Sequence, residues 1–233
     1  MNTLNKGYYP ISQEVLRHNS SSNLCGIELY NQVMKLFDDD LYTDHYKLIC
    51  EVACGYGGGL KWISDHINAQ IIGFDCSSLA LKKARKQGIN AQYCLAPDLP
   101  SRDQSIDCVI SVDSIYYYFN TDFFDEVFRV LKYGGQFIVA IDLAARYDAG
   151  IDKIRSHISD TGLTFVRGID ISANIVAACE FEYAQRQKYI RFLPRRIRES
   201  LESFIGSTSS KLMRSFKSGK RAFAIVEMRK DIV

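Results

Sequence analysis

Short apolar runs alternate with amphipathic segments over most of the chain, and this alternation constrains the fold more than any other feature. The runs are Leu48–Val52, Gln70–Phe74, Ala91–Leu95, Cys108–Val112 and Gln136–Ile141. They are short and mostly apolar throughout, which is the pattern of strands buried on both faces of a parallel sheet. Between them, Gly59–Ile67, Ser78–Gln87 and Thr121–Leu131 carry apolar residues at helical spacing and predict connecting helices. A helix over Asp152–Thr161, bracketed by Gly150 and Gly162, leads to a strand at Leu163–Ile169, and a last β-rich run lies at Ala222–Met228. The expected class is therefore α/β, a doubly wound sheet in a single domain spanning 1–233. Helical spacing at Ile27, Leu29, Tyr30, Val33, Met34, Leu36 and Phe37 predicts an N-terminal helical cap over 1–45. The polar stretch 172–219 predicts a helical insertion, placed as a lid before the last strand.

Composition excludes several classes. Apolar residues make up 47% and charged ones 24% of 233 residues, enough to bury a sizeable core. No basic start followed by an apolar run opens the chain, and no stretch approaches the roughly 18 apolar residues of a membrane span, so a cytoplasmic location is expected. The 7 cysteines are odd in number and scattered, which argues against a disulfide framework. Cys50 and Cys54 lack a following Cys/His pair at ligand spacing, so no metal is expected. From Glu182 onward the chain holds 13 Lys/Arg against 5 Asp/Glu, and the net charge of +2 conceals that asymmetry. Arg186, Lys188, Arg191, Arg195, Arg196 and Arg198 form either a solvated helix face or a partner for an acidic group on a small substrate. No groove-reading motif accompanies them, which argues against nucleic acid, and Glu199 and Glu202 interrupt the basic face, which argues against a membrane surface. The sequence carries no signal of oligomeric state.

Chemistry concentrates after the first predicted strand. Glu51-Val52-Ala53-Cys54-Gly55-Tyr56-Gly57-Gly58-Gly59 puts glycines where a strand turns sharply into a helix, with no side chain to block a ligand. Asp75 follows Gly57 by 18 residues, at the end of the next strand, where a carboxylate can accept both ribose hydroxyls of a nucleoside. It could equally cap the following helix, as could Ser77 or Ser78. The spacing is G-x-G-x-G rather than G-x-G-x-x-G, and no Lys follows as in a phosphate-binding loop, so the ligand expected here lacks a pyrophosphate.

The series Glu51…Gly55-x-Gly57, Gly73-Phe74-Asp75-x-Ser77, Leu99-Pro100 before Ser105–Ser111, and Leu131-Lys132-Tyr133-Gly134-Gly135 resembles the class I S-adenosylmethionine-dependent methyltransferases. The resemblance covers about Leu48–Ile141; the leader Asn5-Lys6-Gly7-Tyr8-Tyr9-Pro10 is similar to that of members acting on lipids and polyketides. It implies a Rossmann-like, mostly parallel seven-stranded sheet with an antiparallel last strand. It also implies S-adenosyl-L-methionine as cofactor, with S-adenosyl-L-homocysteine as product. Carried over by position, Glu51, Ala53, Gly55 and Gly57 surround the methionine end, Asp75 takes the ribose, Cys76, Leu95 and Ala96 flank the adenine, and Tyr9 and Ser111 complete the cofactor site. Two positions depart from the pattern. The third motif reads Cys94-Leu95-Ala96 where an acid is usual, and Ala53 replaces a common glycine.

Methyl transfer asks the protein to align the acceptor, exclude water and, for a hydroxyl, help remove a proton. The candidate catalytic residues, Asp113, Tyr116 and Tyr117, follow the fourth strand, where ligands bind in such sheets. Relatives that methylate hydroxyls often carry a His in this stretch; here tyrosines stand there. Asp113 is a candidate base or orienter, with a loop carboxylate or helix cap as the plain alternative. The expected reaction is methyl transfer to an oxygen of a small, partly apolar molecule. Two alternatives stand beside it: N-methylation of an amine or phosphobase in an enclosure of Tyr8, Tyr9, Tyr116, Tyr117 and Tyr118, and a non-catalytic nucleoside-binding scaffold.

Overall fold

The structure, a computed structural model, describes residues 3–18, 23–190 and 211–231. Seven strands, β1 (Leu48–Val52), β2 (Gln70–Asp75), β3 (Asn90–Tyr93), β4 (Ile106–Val112), β5 (Leu131–Asp142), β6 (Leu163–Asp170) and β7 (Phe223–Lys230), form one sheet in the order β3-β2-β1-β4-β5-β7-β6. The first five pair in parallel, and β7 is antiparallel to both β5 and β6. This is the doubly wound, mostly parallel sheet with an antiparallel last strand. All seven residues of β4 are buried, as a central strand covered on both faces requires.

Nine α-helices accompany the sheet among the described residues: α1 (Gln13–His18), α2 (Leu24–Met34), α3 (Asp40–Thr43), α4 (Gly58–Ser64), α5 (Ser78–Lys86), α6 (Thr121–Val130), α7 (Tyr147–Ile158), α8 (Ser172–Ile190) and α9 (Lys211–Lys217), with a 3-10 turn at Ile115–Tyr117. The pleat divides the core in two. Cys108 and Ile110 of β4 pack with Ile27, Leu29 and Val33 of α2, Leu60 and Ile63 of α4, and Leu81 and Ala84 of α5. Val109, between them, packs on the other face with Phe123, Phe124 and Val127 of α6 and Ile151 and Ile154 of α7. Side-chain caps start two of these helices: Ser77 Oγ accepts from the Ala80 N–H at α5, and Asn120 Oδ1 from the Phe123 N–H at α6.

Three details differ from the sequence reading. The last helix before β6 begins at Tyr147 rather than Asp152, and Gly150 lies inside it. A Cβ on Gly150 would sit 2.6 Å from Leu143 Cβ, so this glycine admits close packing and does not break the helix. β3 ends at Tyr93, leaving Leu95 and Ala96 in the loop beyond. The fifth strand starts at Leu131, because Leu131 pairs with Ile106 across a register shift before the main ladder from Gln136. Of the basic cluster, Arg186 and Lys188 lie on α8, whereas Arg191, Arg195, Arg196 and Arg198 lie outside the described residues.

β1 has parallel partners on both sides, β2 and β4, and the connections from these neighbours pass over opposite faces of the sheet. A crevice opens at the carboxyl ends of strands at such a switch point, which is where Glu51, Asp75 and Asp113 arrive.

Candidate active site

Glu51 occupies the centre of this crevice, paired in register with Gly73 of β2 and Ile110 of β4, and it is fully buried. The Tyr30 hydroxyl of α2 donates to Glu51 Oε1 at 2.6 Å, while Glu51 Oε2 has no hydrogen-bond partner. Burial pushes the Glu51 carboxyl up to about 8, against the pull of the Tyr30 hydrogen bond and with help from the nearby charge of Asp75.

The turn after β1 is wound tightly. Ala53, Gly55 and Gly57 all have positive φ, at 59°, 55° and 76°. Ala53 thus accepts a left-handed conformation that its methyl disfavours, at the position where glycine is common. A Cβ on Gly55 would meet only Leu4 Cδ1, at 3.5 Å, so this face of the turn is open to a ligand. Gly57 faces α5 instead: a Cβ there would come 2.9 Å from that of Ala84.

Asp75 ends β2. Its Oδ2 accepts from the Gly55 N–H and its Oδ1 from the Ser77 N–H, each at 2.8 Å. The helix cap is therefore Ser77, and Asp75 bridges the glycine turn to the start of α5. A carboxylate offers about four acceptor positions, so both oxygens keep capacity for a ligand hydroxyl. Beside it, Cys76 and Leu95 are exposed and Ala96 is half-buried.

On the other side of the crevice the sequence signals resolve differently. Asp113 is buried, with φ 56°, and is neither a solvated loop carboxylate nor a helix cap. Lys6 grips it twice, Nζ to Oδ1 at 2.6 Å and backbone N–H to Oδ2 at 2.9 Å. Burial raises the Asp113 carboxyl and Lys6 opposes the rise. Lys6 Nζ also lies 3.9 Å from Asp142 Oδ2, and Asp142 Oδ1 accepts from Arg221 Nε at 2.5 Å. Four charges of alternating sign thus join the leader, the ends of β4 and β5, and the approach to β7. The Lys6 ammonium sits 5.8 Å from the Tyr116 ring centre and 5.2 Å from that of Phe223.

The Tyr116 and Tyr117 rings meet at a tilt, 4.1 Å between centres, and are 47% and 77% exposed, so they form a rim rather than a packed wall. Partial burial and its neighbour Tyr117 hold the Tyr116 phenol well above its ordinary value. Ser111 is fully buried; its hydroxyl contacts those of Ser114 at 3.0 Å and Tyr118 at 2.9 Å, and Tyr118 donates on to the Val52 carbonyl. That chain ties the end of β4 to the end of β1. Tyr9 turns to α8, where it stacks on Phe181 at 5.0 Å and its carbonyl accepts from Asn174. Two contributors were given no role from sequence, Tyr30 and Lys6; Lys6 lies in the leader and Tyr30 in the helical run after it, and no local pattern marks their partners 21 and 107 residues away.

Next to Arg221 lies a cavity of about 740 Å³, with Val176 and Phe216 among its apolar walls, Arg146 and Lys217 among its cations, and Asp148 and Asp170 as its acids.

The sequence model of the family described as "Methyltransferase domain" matches residues 50–139, the stretch that holds β1, the glycine turn, Asp75 and Asp113. The chain belongs to the class I S-adenosylmethionine-dependent methyltransferases. It is 28% identical over 192 residues to the phthiotriol/phenolphthiotriol dimycocerosates methyltransferase of Mycobacterium tuberculosis, covering 79% of this chain and 70% of that one. A fatty-acid O-methyltransferase of Mycolicibacterium smegmatis is 30% identical over 185 residues, covering 76% and 65%. Among solved structures, a candidate sarcosine dimethylglycine methyltransferase from Galdieria sulphuraria superposes with a TM-score of 0.75 at 15% identity, over 98% of this chain and 94% of that one, and so shares the fold. This methyltransferase is an enzyme whose cofactor is S-adenosylmethionine. Among its described residues no helix is long and apolar enough to cross a membrane.

Proposed function

We propose that this methyltransferase transfers a methyl group to an oxygen of a small, partly apolar molecule, and that the oxygen reaches the site already ionised, as a carboxylate. The observation that carries this reading is the state of Asp113. Both of its oxygens are engaged by Lys6, and Asp142 is paired with Arg221. Both carboxylates are committed to ion pairs that protonation would break, and the Tyr116 phenol is held too high to serve as a base at neutral pH. A carboxylate needs no base. The enclosure of Asp113, Tyr116 and Phe223 that would attract an amine already holds the ammonium of Lys6. The cavity beside Arg221 combines apolar walls with three cations, Arg146, Lys217 and Arg221, against two acids, Asp148 and Asp170, and the likeness to a fatty-acid O-methyltransferase supports an acceptor chain ending in an acid.

The residues fit the cofactor. Glu51 Oε2, buried and without a partner, would accept the amino group of the methionine moiety; the open face of Gly55 would let that moiety approach the backbone. Asp75 would accept from the ribose hydroxyls, with Cys76, Leu95 and Ala96 beside the adenine. Ser111 would act through the hydroxyl chain that fixes the ends of β1 and β4. Tyr9, drawn to α8, would wall the acceptor side together with Tyr116 and Tyr117. The bound sulfonium supplies an activated methyl group that passes to a nucleophile held in line with it. The chain's own part is to align that nucleophile and exclude water. Asp113 would orient the leader through Lys6 and would not itself move a proton.

Amine N-methylation is the second reading, favoured by the same enclosure should Lys6 withdraw from it. Incubating the enzyme with isotopically labelled cofactor and three acceptor sets, namely fatty acids, long-chain alcohols and small amines or phosphobases, decides between them by mass spectrometry. Labelled methyl esters are the expected product. Label in the amines alone would replace the proposal with the second reading.

A further inference from the structure

Tyr30 lies outside the segment that matches the family and outside every motif above. Its ring is 5% exposed and packs over Gly59, where a Cβ would come 2.0 Å from Tyr30 Cζ, so that only glycine at this position leaves room for the ring. From that slot the hydroxyl reaches across to Glu51 Oε1 at 2.6 Å, in the fully buried centre of the crevice. The second oxygen, Oε2, has no partner. A carboxylate anchored through one oxygen and open at the other is held ready for a single further donor, with no reorganisation when that donor arrives.

We propose that Tyr30 is a positioning residue for the cofactor: its hydroxyl fixes Glu51 and favours its ionised form, so that Oε2 receives the amino group of the methionine moiety. The proposal rests on the reading of Glu51 given above. The titratable groups that interact with Glu51 are Tyr30 from α2, Asp75 from β2, Cys50 beside it on its own strand, Cys54 from the turn and Tyr118 from the loop after β4. Burial drives both thiols and the Tyr118 phenol upward, so they stay neutral, and Asp75 repels a charge on Glu51. Of this set Tyr30 alone donates a hydrogen bond to the Glu51 carboxylate. Loss of that bond leaves desolvation and Asp75 unopposed, and Glu51 then gives up its proton only at a higher pH than in the wild type. A neutral acid forms no ion pair with an ammonium group.

The test is calorimetric titration of S-adenosylhomocysteine into the full-length enzyme, Tyr30→Phe and Glu51→Gln from about pH 6 to about pH 10. The ratio of wild-type to Tyr30→Phe affinity cancels the ligand's own titration. Tyr30→Phe keeps the ring in its slot, and thermal melts report its fold. The expected ratio is about tenfold below roughly pH 7, the order of effect of a hydrogen bond to a charged group, falling toward one as both proteins ionise Glu51 above roughly pH 9. In turnover, KM for the cofactor should rise while kcat at saturation stays near wild type. A ratio of one at every pH, or a loss that does not vary with pH, overturns the proposal, because a packing role alone has no reason to titrate. If Glu51→Gln also binds with full affinity, the assignment of Glu51 to the amino group fails as well. If Glu51→Gln loses affinity while Tyr30→Phe does not, only the role of Tyr30 is lost.

Discussion

Glu51→Gln should make the cofactor-free protein more stable at alkaline pH while weakening its hold on the cofactor. Burial raises the Glu51 carboxyl from an ordinary 4.5 to about 8. Between these values the folded protein retains a proton that the unfolded chain has released, so stability falls as pH rises through that window. At about 1.4 kcal/mol per tenfold change, the charge on Glu51 costs the folded state about 3 kcal/mol at pH 7, approaching about 5 kcal/mol above pH 8. Glutamine keeps the shape and the acceptor for Tyr30 but places an amide where Oε2 has no partner, which costs about 1–3 kcal/mol at any pH. The variant should therefore be equal to or slightly less stable than wild type near pH 5 and more stable by about 2–4 kcal/mol near pH 8.5, some 5–10 °C in Tm for a chain of this size. Differential scanning calorimetry at both pH values without cofactor measures this directly. A stability difference between variant and wild type that is the same at pH 5 and pH 8.5 would refute the reasoning, since it would show that Glu51 carries no buried charge to remove.

Further outcomes follow from single contacts. Asp75→Ala should weaken S-adenosylhomocysteine binding by an order of magnitude or more, as expected for a charge-assisted bond of about 1.5–3 kcal/mol, and an unchanged Kd would take Asp75 out of the site. Gly59→Ala drives a methyl into the Tyr30 ring and should destabilise the fold by about 1–3 kcal/mol in urea titrations; wild-type stability would mean that the ring has another place to go. Lys6→Met strands the Asp113 carboxylate and should cost about 2 kcal/mol near neutral pH, less as acid protonates Asp113. A loss independent of pH would assign the role of Lys6 to its aliphatic stem.

The sheet was legible because buried parallel strands leave nearly unbroken apolar runs, and Leu48–Val52 and Gln70–Phe74 agree with β1 and β2 to within a residue. Glycine was read well where the backbone demands it, at Gly55 and Gly57, and misread at Gly150, where its value lies in what packs against it. The turn and Asp75 stand out because their geometry is local to a strand end. What lay hidden was long-range. A tyrosine at a helical apolar position looks like any core residue until its hydroxyl is seen on Glu51, and nothing near Asp113 in sequence announces a lysine from the leader.

The interlock of Tyr30 with Gly59 sets a rule for chimeras. A leader borrowed from a relative would bring its own residue to the slot above α4. Without a phenol there it would leave a void beside the strand and an acid with neither oxygen satisfied. Exchanges meant to alter acceptor choice are therefore better made downstream of β5, where the walls of the cavity beside Arg221 originate.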